Sequence, residues 1–344
     1  MPSPDPTSYP RDLLGRPLTS LRLSVTDRCN LRCSYCMPEE NYRWLRRQML
    51  LTFEELARLT GILTRLGVDR VRLTGGEPLL RRDLPHLIER LKTLELKEIA
   101  LTTNGTMLAN RQKALFEAGL DRVTVSLDAA CPEVFRHMSQ RDDFEAVMAG
   151  LRSVAQRPGL KIDSVIVAGS NEQQILPLLQ LGSELGAEVR FIEYMDVGGA
   201  TRWRAEKVFS QDQILGQIST VHGSVRPLEG RGSAPAGRFV TESGLTFGVI
   251  ASVTQPFCRT CDRARITADG QLLSCLYAKR GKDLRSLLRS GESDAAIETE
   301  LRQIWEHRTD RGAELRRELK RRGPLADVAE LQENPHLEMH TRGG

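Results

Sequence analysis

The sequence predicts an α/β fold built on a parallel sheet, with a smaller α+β region towards its C-terminal end. From residue 21 to about residue 195, six short runs of β-favouring residues alternate with amphipathic stretches of helical period. Such alternation requires parallel strands joined by crossover helices. Glycine follows several of the helical stretches, as is typical of helix C-caps. After about residue 205 the alternation stops and hairpin-like strands follow.

Each repeat of the alternation can be placed on the chain. Strands are predicted over residues 21–25, 70–73, 98–101, 122–127, 161–167 and 188–192. A capping box at Thr52 and Glu55 begins the first helix, which should end near residue 66. The remaining helices are predicted over residues 83–94, 109–118, 143–155 and 172–185. A doubly wound sheet and a full or partial barrel both accommodate this order.

The carboxyl ends of the predicted strands carry polar and glycine-rich segments, at residues 26–29, 74–78, 102–105, 126–128 and 193–196. In both candidate architectures the functional residues gather at the carboxyl ends of the strands. We therefore expect one mouth that is lined by all of these segments.

The region after residue 205 is expected to form a second, smaller domain over residues 206–344, following a first domain over residues 1–205. A hairpin turn is predicted at Ala268-Asp269-Gly270, and a mobile loop over residues 226–237, which are rich in Gly, Pro and Ser. The predicted strands cover residues 238–241, 246–252, 263–267 and 271–276, and the predicted helices cover residues 207–218, 283–288 and 295–307.

Composition narrows the classes of function. The net charge is +4 without blocks of like charge, which does not indicate a nucleic-acid-binding protein. The first residues lack a basic stretch followed by an apolar one, and no apolar run approaches the ~18 residues of a membrane span, so a cytoplasmic protein is expected. In a reducing compartment, clustered cysteines indicate metal binding or catalysis. Of the seven cysteines, only Cys131 stands alone, and we interpret it as a buried or incidental thiol.

The first cysteine cluster, Cys29-x3-Cys33-x2-Cys36, follows the first predicted strand. Three thiolates can hold three irons of a 4Fe–4S cube and leave the fourth iron open to chelate S-adenosylmethionine (SAM). Zinc is the alternative, but a structural zinc site needs four ligands and the nearest histidine is His86. The spacing, together with Gly75-Gly76-Glu77-Pro78 after the second strand, resembles the radical SAM superfamily.

The second cluster, Cys258-x2-Cys261-x13-Cys275, again supplies three thiolates. No histidine lies between Cys258 and His307 to complete a zinc site, so a second 4Fe–4S cube with an open iron fits the count better. Thiolates by themselves allow either metal.

Both spacings together resemble the GTP 3′,8-cyclase family, which is molybdenum cofactor biosynthesis protein A. The likeness runs from about residue 13 to residue 344 and includes the terminal Gly343-Gly344 and residues 23–30, 72–79, 190–195 and 261–267. It implies a partial (β/α)6 TIM-like barrel of the radical SAM type, whose mouth is closed by the smaller C-terminal α+β domain.

The resemblance also implies a reaction. With two 4Fe–4S clusters and SAM as cofactors, a deoxyadenosyl radical would take the 3′ hydrogen of GTP, and the ribose radical would attack carbon 8 of guanine. Reduction would give 3′,8-cyclo-7,8-dihydro-GTP in the first step of molybdenum cofactor biosynthesis. An external electron donor, a cyclic pyranopterin monophosphate synthase that takes the product, and a homodimer are implied as partners, without nucleic acid or membrane.

Residue roles follow from the matched motifs. Catalytic roles are implied for Arg22, Arg263, Arg265 and a C-terminal tail, Gly343 and Gly344, that reaches into the active site. The implied SAM contacts are Tyr35, Gly76, Ser126 and Met195. The implied GTP contacts are Arg22, Arg72, Thr103, Lys161, Arg190, Arg263 and Arg265, with Arg70 as a weaker candidate. Alternation along the first strand places Arg22 opposite the apolar residues, where a buried cation needs either a bound anion or a carboxylate partner.

Two other functions remain open from the sequence. Radical SAM enzymes that mature peptides share this plan but usually carry more C-terminal cysteines. A zinc-stabilised RNA-binding module would need a basic stripe with exposed aromatic residues, whereas aromatic residues make up only 5% of this chain.

Overall fold

A computed structural model describes residues 9–343 of the chain. Within these residues, twelve strands form one continuous sheet in the order β12-β11-β10-β1-β2-β3-β4-β5-β6-β9-β8-β7. Its centre consists of six parallel strands in chain order, which confirms the predicted β/α alternation. These are β1 (Ser20–Ser24), β2 (Arg70–Thr74), β3 (Glu98–Thr103), β4 (Arg122–Ser126), β5 (Lys161–Ile166) and β6 (Glu188–Glu193).

The helices that connect these strands cover one face of the sheet. The capping box predicted at Thr52 is present: its hydroxyl accepts from the Glu55 amide, and the Glu55 carboxylate accepts from the Thr52 amide. One helix, α4, was missed by the sequence analysis, and it begins directly with Pro132, whose fixed φ suits a first helical turn. The helices are α1 (Phe53–Thr64), α2 (Leu84–Lys92), α3 (Leu108–Glu117), α4 (Pro132–Ser139), α5 (Phe144–Ser153) and α6 (Ile175–Leu185).

The C-terminal strands extend the same sheet at both of its edges. At one edge β9 pairs in parallel with β6, and β8 and β7 follow as antiparallel neighbours. At the other edge β10 pairs in parallel with β1 and is followed by β11 and β12. The division at residue 205 stays a prediction. The strands are β7 (Val225–Leu228), β8 (Gly237–Thr241), β9 (Thr246–Ile250), β10 (Arg263–Ile266), β11 (Gln271–Leu273) and β12 (Lys282–Asp283).

The predicted mobile loop over residues 226–237 is wrong in its first part, because β7 occupies residues 225–228. β7 is an edge strand of the sheet. Proline has no amide hydrogen, but on the outer side of an edge strand no neighbouring strand needs one, so Pro227 is tolerated there. The helix predicted over 207–218 starts later, where Ser210 and Gln213 form a capping box. The C-terminal helices are α7 (Gln211–His222), α8 (Leu284–Arg289), α9 (Asp294–Glu306), α10 (Gly312–Arg317), α11 (Val328–Glu333) and α12 (Met339–Arg342), of which the last three were not predicted.

The apolar core lies between the sheet and the helices. Alternate residues of β1 and β2 point into it, among them Leu21, Leu23, Val71 and Leu73, and all four are almost fully buried. The other face of the same strands is therefore left for polar side chains. No helix within residues 9–343 is both long and apolar enough to cross a membrane.

Candidate active site

Both cysteine clusters line one cavity of about 580 Å³ that extends along the parallel strands from their amino ends to their carboxyl ends. The loop that carries Cys29, Cys33 and Cys36 follows β1, whereas Cys258 and Cys261 precede β10 and Cys275 follows β11. β10 runs parallel to β1, and Arg263 lies beside Ser20, so the second cluster lies at the amino end of β1. The first cluster follows the carboxyl end of β1, and the two clusters therefore face the cavity from opposite ends of the strands. The two cysteine triads thus share one chamber.

The loop after β1 holds its three thiols in an apolar setting. Two amides, those of Cys36 and Met37, donate to the Cys33 carbonyl at 2.9 and 2.7 Å and close the loop into a tight turn. Burial, and the nearby Glu77 carboxylate, raise the pKa of the Cys29 thiol to about 11. A metal cation reverses such a shift, since a coordinating thiol is deprotonated outright. Three buried thiols in one loop therefore suit a metal cluster.

The glycine-rich segment after β2 packs directly against this loop. Gly76 donates its amide to the Thr26 carbonyl at 2.9 Å, and a Cβ at this position would collide with the Arg28 carbonyl oxygen. The buried Glu77 accepts hydrogen bonds from the Thr103 hydroxyl at 2.7 Å and from the Asn104 amide at 2.6 Å. Burial raises the pKa of Glu77 to about 7. The ends of β1, β2 and β3 are thereby locked together beside the first cluster.

The side chains predicted to contact SAM lie around the same part of the cavity. The hydroxyl of Tyr35 donates to Asp128 at 2.9 Å, and its ring makes an edge contact with Tyr194 at a centroid distance of 6.4 Å. Ser126, at the end of β4, and Met195, after β6, both line the cavity.

Sheet register places three arginines of the cavity lining in one row across neighbouring strands. Arg22 of β1 lies opposite Arg72 of β2 and opposite Arg265 of β10. Like charges that face each other on neighbouring strands are destabilising. Burial, followed by the charges of Arg265 and Arg72, lowers the pKa of the Arg22 guanidinium. Such a row is stabilised when a polyanion binds between the side chains.

The other predicted cations have carboxylate partners. Arg70 bonds to the Asp262 carboxylate at 3.0 Å, and Arg190 to Glu188 at 3.0 Å, with Lys161 3.9 Å from the same Glu188. A buried cation needs either a bound anion or a carboxylate partner, and for Arg70 and Arg190 the partner is a carboxylate of the protein.

Arg263 and Thr103, two further residues predicted to contact GTP, each contact another side chain of the protein. Arg263 lies over the Phe257 ring at 4.9 Å from its centroid. The Thr103 hydroxyl is engaged by Glu77, whereas the Thr102 hydroxyl accepts from Arg72 at 3.1 Å.

The second cysteine cluster receives several hydrogen bonds on its sulfur atoms. The Tyr277 amide lies 3.4 Å from Cys275 Sγ, and Arg308 Nη2 lies 3.5 Å from Cys261 Sγ. Burial by itself raises the pKa of the Cys261 thiol, but the positive charges of Arg263 and Arg308 outweigh this effect and lower the pKa below its ordinary value. A Cβ on Gly312 would lie 3.0 Å from Cys275 Sγ, so the chain passes the sulfur too closely for a side chain.

The C-terminal tail enters the cavity. The Gly343 carbonyl accepts from Arg265 Nη1, and a Cβ on Gly343 would collide with the Thr74 hydroxyl of β2. The tail is anchored by Arg342, a fully buried side chain that donates to the carbonyls of Leu276 at 2.5 Å and Ala278 at 3.3 Å. Gly344 lies outside the described residues.

Two buried carboxylates at the end of β6 hold the C-terminal region against the barrel. Glu193 accepts from the amides of Val253 and Thr254, each at 2.8 Å, and so fixes the segment before the second cysteine pair. Asp196 accepts from the Tyr277 hydroxyl at 2.8 Å and from two arginines. The sequence analysis assigned neither residue a role, because their partners lie far along the chain.

The donor set of each cluster consists of thiolates. Among the described residues, no three His, Cys, Asp or Glu side chains converge in the manner of ligands to one metal ion. The ligands of a 4Fe–4S cube are spread apart, since each thiolate binds a different iron. Soft thiolate ligands are those that iron–sulfur clusters prefer, so both sets fit such clusters.

Comparisons with known proteins agree with this site. The model of the Radical SAM superfamily matches residues 23–182, and the model named Molybdenum Cofactor Synthesis C matches residues 187–314. The chain is 47% identical over 352 residues to GTP 3′,8-cyclase 1 of Mycobacterium tuberculosis (strain CDC 1551 / Oshkosh), with 100% of this chain and 98% of that protein covered. The chain belongs to the GTP 3′,8-cyclase family. It is also 45% identical over 317 residues to GTP 3′,8-cyclase of Aquifex aeolicus (strain VF5), with 90% of this chain and 96% of that protein covered.

A solved structure supports the fold. Streptococcus suis SuiB bound to S-adenosylmethionine superposes with a TM-score of 0.58 at 17% identity, covering 83% of this chain and 68% of that chain. At this identity the likeness concerns the fold alone. Together with the family models, it confirms the predicted partial barrel of the radical SAM type with a C-terminal domain.

The residues predicted from the sequence and from its resemblance to the GTP 3′,8-cyclase family make up most of the site. All six clustered cysteines, the four SAM residues and the seven GTP residues line the cavity, and Gly343 touches Arg265 at its edge. Their individual roles stay predictions. The buried charged residues Asp12, Arg16, Glu193, Asp196 and Arg308 were missed, because the burial of a charged side chain is set by long-range packing that no local sequence pattern shows.

Proposed function

We propose that the chain is a radical SAM GTP 3′,8-cyclase that converts GTP to 3′,8-cyclo-7,8-dihydro-GTP, the first step of molybdenum cofactor biosynthesis. The observation that carries this proposal is one cavity lined by two cysteine triads and by a row of three arginines. The family membership supports the same reaction.

Cys29, Cys33 and Cys36 would hold the first 4Fe–4S cluster, with SAM beside it. When bound, this cluster supplies the electron that cleaves SAM and generates the deoxyadenosyl radical. The protein positions SAM by the rigid backbone at Gly76, whose close approach to Arg28 leaves no room for a side chain. Tyr35, held by Asp128, is oriented towards the same space.

The arginine row would bind the triphosphate of GTP. Neighbouring strands are about 4.8 Å apart, so three arginines in one row span roughly 10 Å and can contact successive phosphates. Guanidinium groups form bidentate hydrogen bonds with phosphate, and here they lie in a buried site where such bonds are strong. Lys161 and Arg190 extend the cationic surface towards β5 and β6.

Cys258, Cys261 and Cys275 would hold a second 4Fe–4S cluster on the opposite side of the cavity. Three protein ligands leave one iron open to a nitrogen or oxygen atom of the guanine base. The Gly343 carbonyl accepts from Arg265, so the end of the tail lies beside the arginine row and would be close to bound GTP. We assign catalytic roles to Arg22, Arg263, Arg265 and this tail.

Several partners belong to the proposal. A one-electron donor must reduce the first cluster, and a cyclic pyranopterin monophosphate synthase would take the product. A homodimer remains a prediction that rests on family resemblance, and a cytoplasmic location remains a prediction made from the sequence.

Anaerobic purification with iron, sulfide and zinc counting tests the two-cluster proposal. We expect about eight irons per chain in the wild type and about four in Cys258→Ser. Cys131→Ser is the matched control, because Cys131 lies outside both triads, and it should retain about eight irons. Four irons and one zinc in the wild type, with unchanged GTP affinity in Cys258→Ser, would contradict the proposal.

Equilibrium binding separates this function from peptide maturation. The protein should bind GTP in the presence of SAM, with an affinity that falls steeply as salt increases, because the triphosphate is held by charge. Absence of GTP binding by the holoprotein would favour a different substrate.

A further inference from the structure

A buried arginine from outside the predicted site contacts a sulfur atom of the second cysteine triad. The side chain of Arg308, only 1% exposed, extends from the end of α9 across the Trp305 ring, 4.4 Å from the ring centroid. Its Nη2 lies 3.5 Å from Cys261 Sγ, and its Nη1 donates to the Cys261 carbonyl at 2.9 Å. One guanidinium thus holds both the backbone and the sulfur of the same cysteine.

A carboxylate from the N-terminal segment neutralises this arginine. Asp12, whose side chain is fully buried, accepts from Arg308 Nη1 at 3.2 Å and from Arg16 Nε at 2.6 Å. Arg16 in turn donates to the Cys258 carbonyl at 2.7 Å and to the Asp310 carbonyl at 2.8 Å. The two arginines are therefore alike in burial and in their shared counter-ion. They differ in that Arg308 reaches a sulfur atom and has a second carboxylate, that of Asp310, 3.6 Å from its Nε, whereas Arg16 reaches backbone oxygens besides Asp12.

We propose that Arg308 is a positioning residue that fixes Cys261 and raises the reduction potential of the second cluster through its contact with Cys261 Sγ. The proposal rests on the second 4Fe–4S cluster of the proposed function.

Hydrogen bonds and positive charge at the sulfur atoms tune the potential of an iron–sulfur cluster. Reduction adds a negative charge to the cluster, so a donor aimed at a ligand sulfur stabilises the reduced state more than the oxidised one. Trp305 and Asp12 exclude water around the guanidinium, which strengthens this effect. Arg16 lacks the sulfur contact and should influence the cluster only through the fold.

The test compares Arg308→Gln with Arg16→Gln in anaerobically reconstituted holoprotein. Iron is counted first, and the midpoint potentials of the clusters are then measured by redox titration followed by electron paramagnetic resonance. The signal that changes when SAM is added belongs to the first cluster, and the other signal is the one compared.

We expect Arg308→Gln to lower the equilibrium constant for reduction of the second cluster about tenfold, which is about 59 mV for one electron. Arg16→Gln should leave this potential unchanged, and Arg308→Lys, which keeps the charge, should fall between wild type and Arg308→Gln. If Arg308→Gln instead loses the second cluster while Arg16→Gln retains it, the role of Arg308 in fixing Cys261 is supported, and Arg308→Lys then tests the effect on the potential.

The proposal would be overturned if Arg308→Gln and the wild type had equal potentials. It would also be overturned if the two glutamine variants showed equal shifts in potential or equal loss of the cluster. A wild-type protein with only four irons would remove the proposed second cluster instead, so the two failures are distinguishable.

Discussion

Replacing Asp196 with asparagine removes the charge that joins the C-terminal region to the end of β6. The carboxylate receives a two-point contact from Arg322, with both distances 2.8 Å, and a third bond from Arg316 at 2.5 Å. The side chain of Asp196 is fully buried, and those of Arg316 and Arg322 are 16% and 10% exposed. The substitution would leave two largely buried guanidinium groups without their counter-ion.

The expected cost is about 3 kcal/mol, because breaking a buried ion pair by removing one partner typically costs 3–5 kcal/mol and asparagine keeps one acceptor. A chain of this size should then lose about 4 °C in apparent unfolding temperature. The loss should be greatest around Tyr277, whose hydroxyl also bonds to Asp196 and which lies two residues after Cys275.

Scanning calorimetry of the anaerobic holoprotein at one scan rate measures this cost, and Asp294→Asn is the matched control. Asp294 also pairs with two arginines, Arg58 at 2.7 Å and Arg65 at 4.0 Å, but its side chain is 48% exposed. Exposed pairs contribute only about 0–1 kcal/mol, so the control should unfold close to the wild-type temperature. Equal shifts in the two variants would refute the argument that burial makes the Asp196 pair important.

Three further outcomes are expected. Arg265→Ala should weaken GTP binding at least about tenfold while leaving SAM binding intact, since its loss removes one charge-assisted contact from the arginine row; equal loss of both ligands in equilibrium dialysis would show that Arg265 is misplaced. Gly312→Ala should reduce the iron content from about eight towards four, because its Cβ would lie 2.5 Å from Tyr277 Cβ and 3.0 Å from Cys275 Sγ, and an unchanged iron count would contradict this. Burial by itself raises the pKa of Asp196, but Arg322, Arg316 and the Tyr277 hydroxyl outweigh it and hold this pKa below its ordinary value. The stability that the Asp196 carboxylate supplies is therefore complete above about pH 4 and is lost as the pH falls through the lowered pKa of the folded state. The difference in unfolding temperature between wild type and Asp196→Asn should accordingly shrink below about pH 4, and a constant difference would contradict the assignment.

The parallel barrel was predictable because its signals are local. The six strands and the capping box at Thr52 follow from short-range periodicity and from residues three apart. Helix α4 was missed because the eight residues Pro132–Ser139 span little more than two turns, too few for a periodic pattern to be recognised. The helices α10, α11 and α12 are shorter still, and tertiary contacts such as that of Arg316 with Asp196 hold them in place.

The site itself required information that no local pattern carries. Alternation along β10 places Arg263 and Arg265 on one face, yet it does not specify which strand lies beside them. Only the pairing of β10 with β1, more than 230 residues away in sequence, sets Arg265 next to Arg22 and the second cysteine triad across from the first. The same long-range pairing explains why so many cations share one cavity. A single arginine such as Arg70 is paired by one carboxylate, whereas a row of three on adjacent strands suits an anion that spans them. If the proposed function is right, the triphosphate of GTP balances the charge of this row, and the ligand-free protein should be the less stable form.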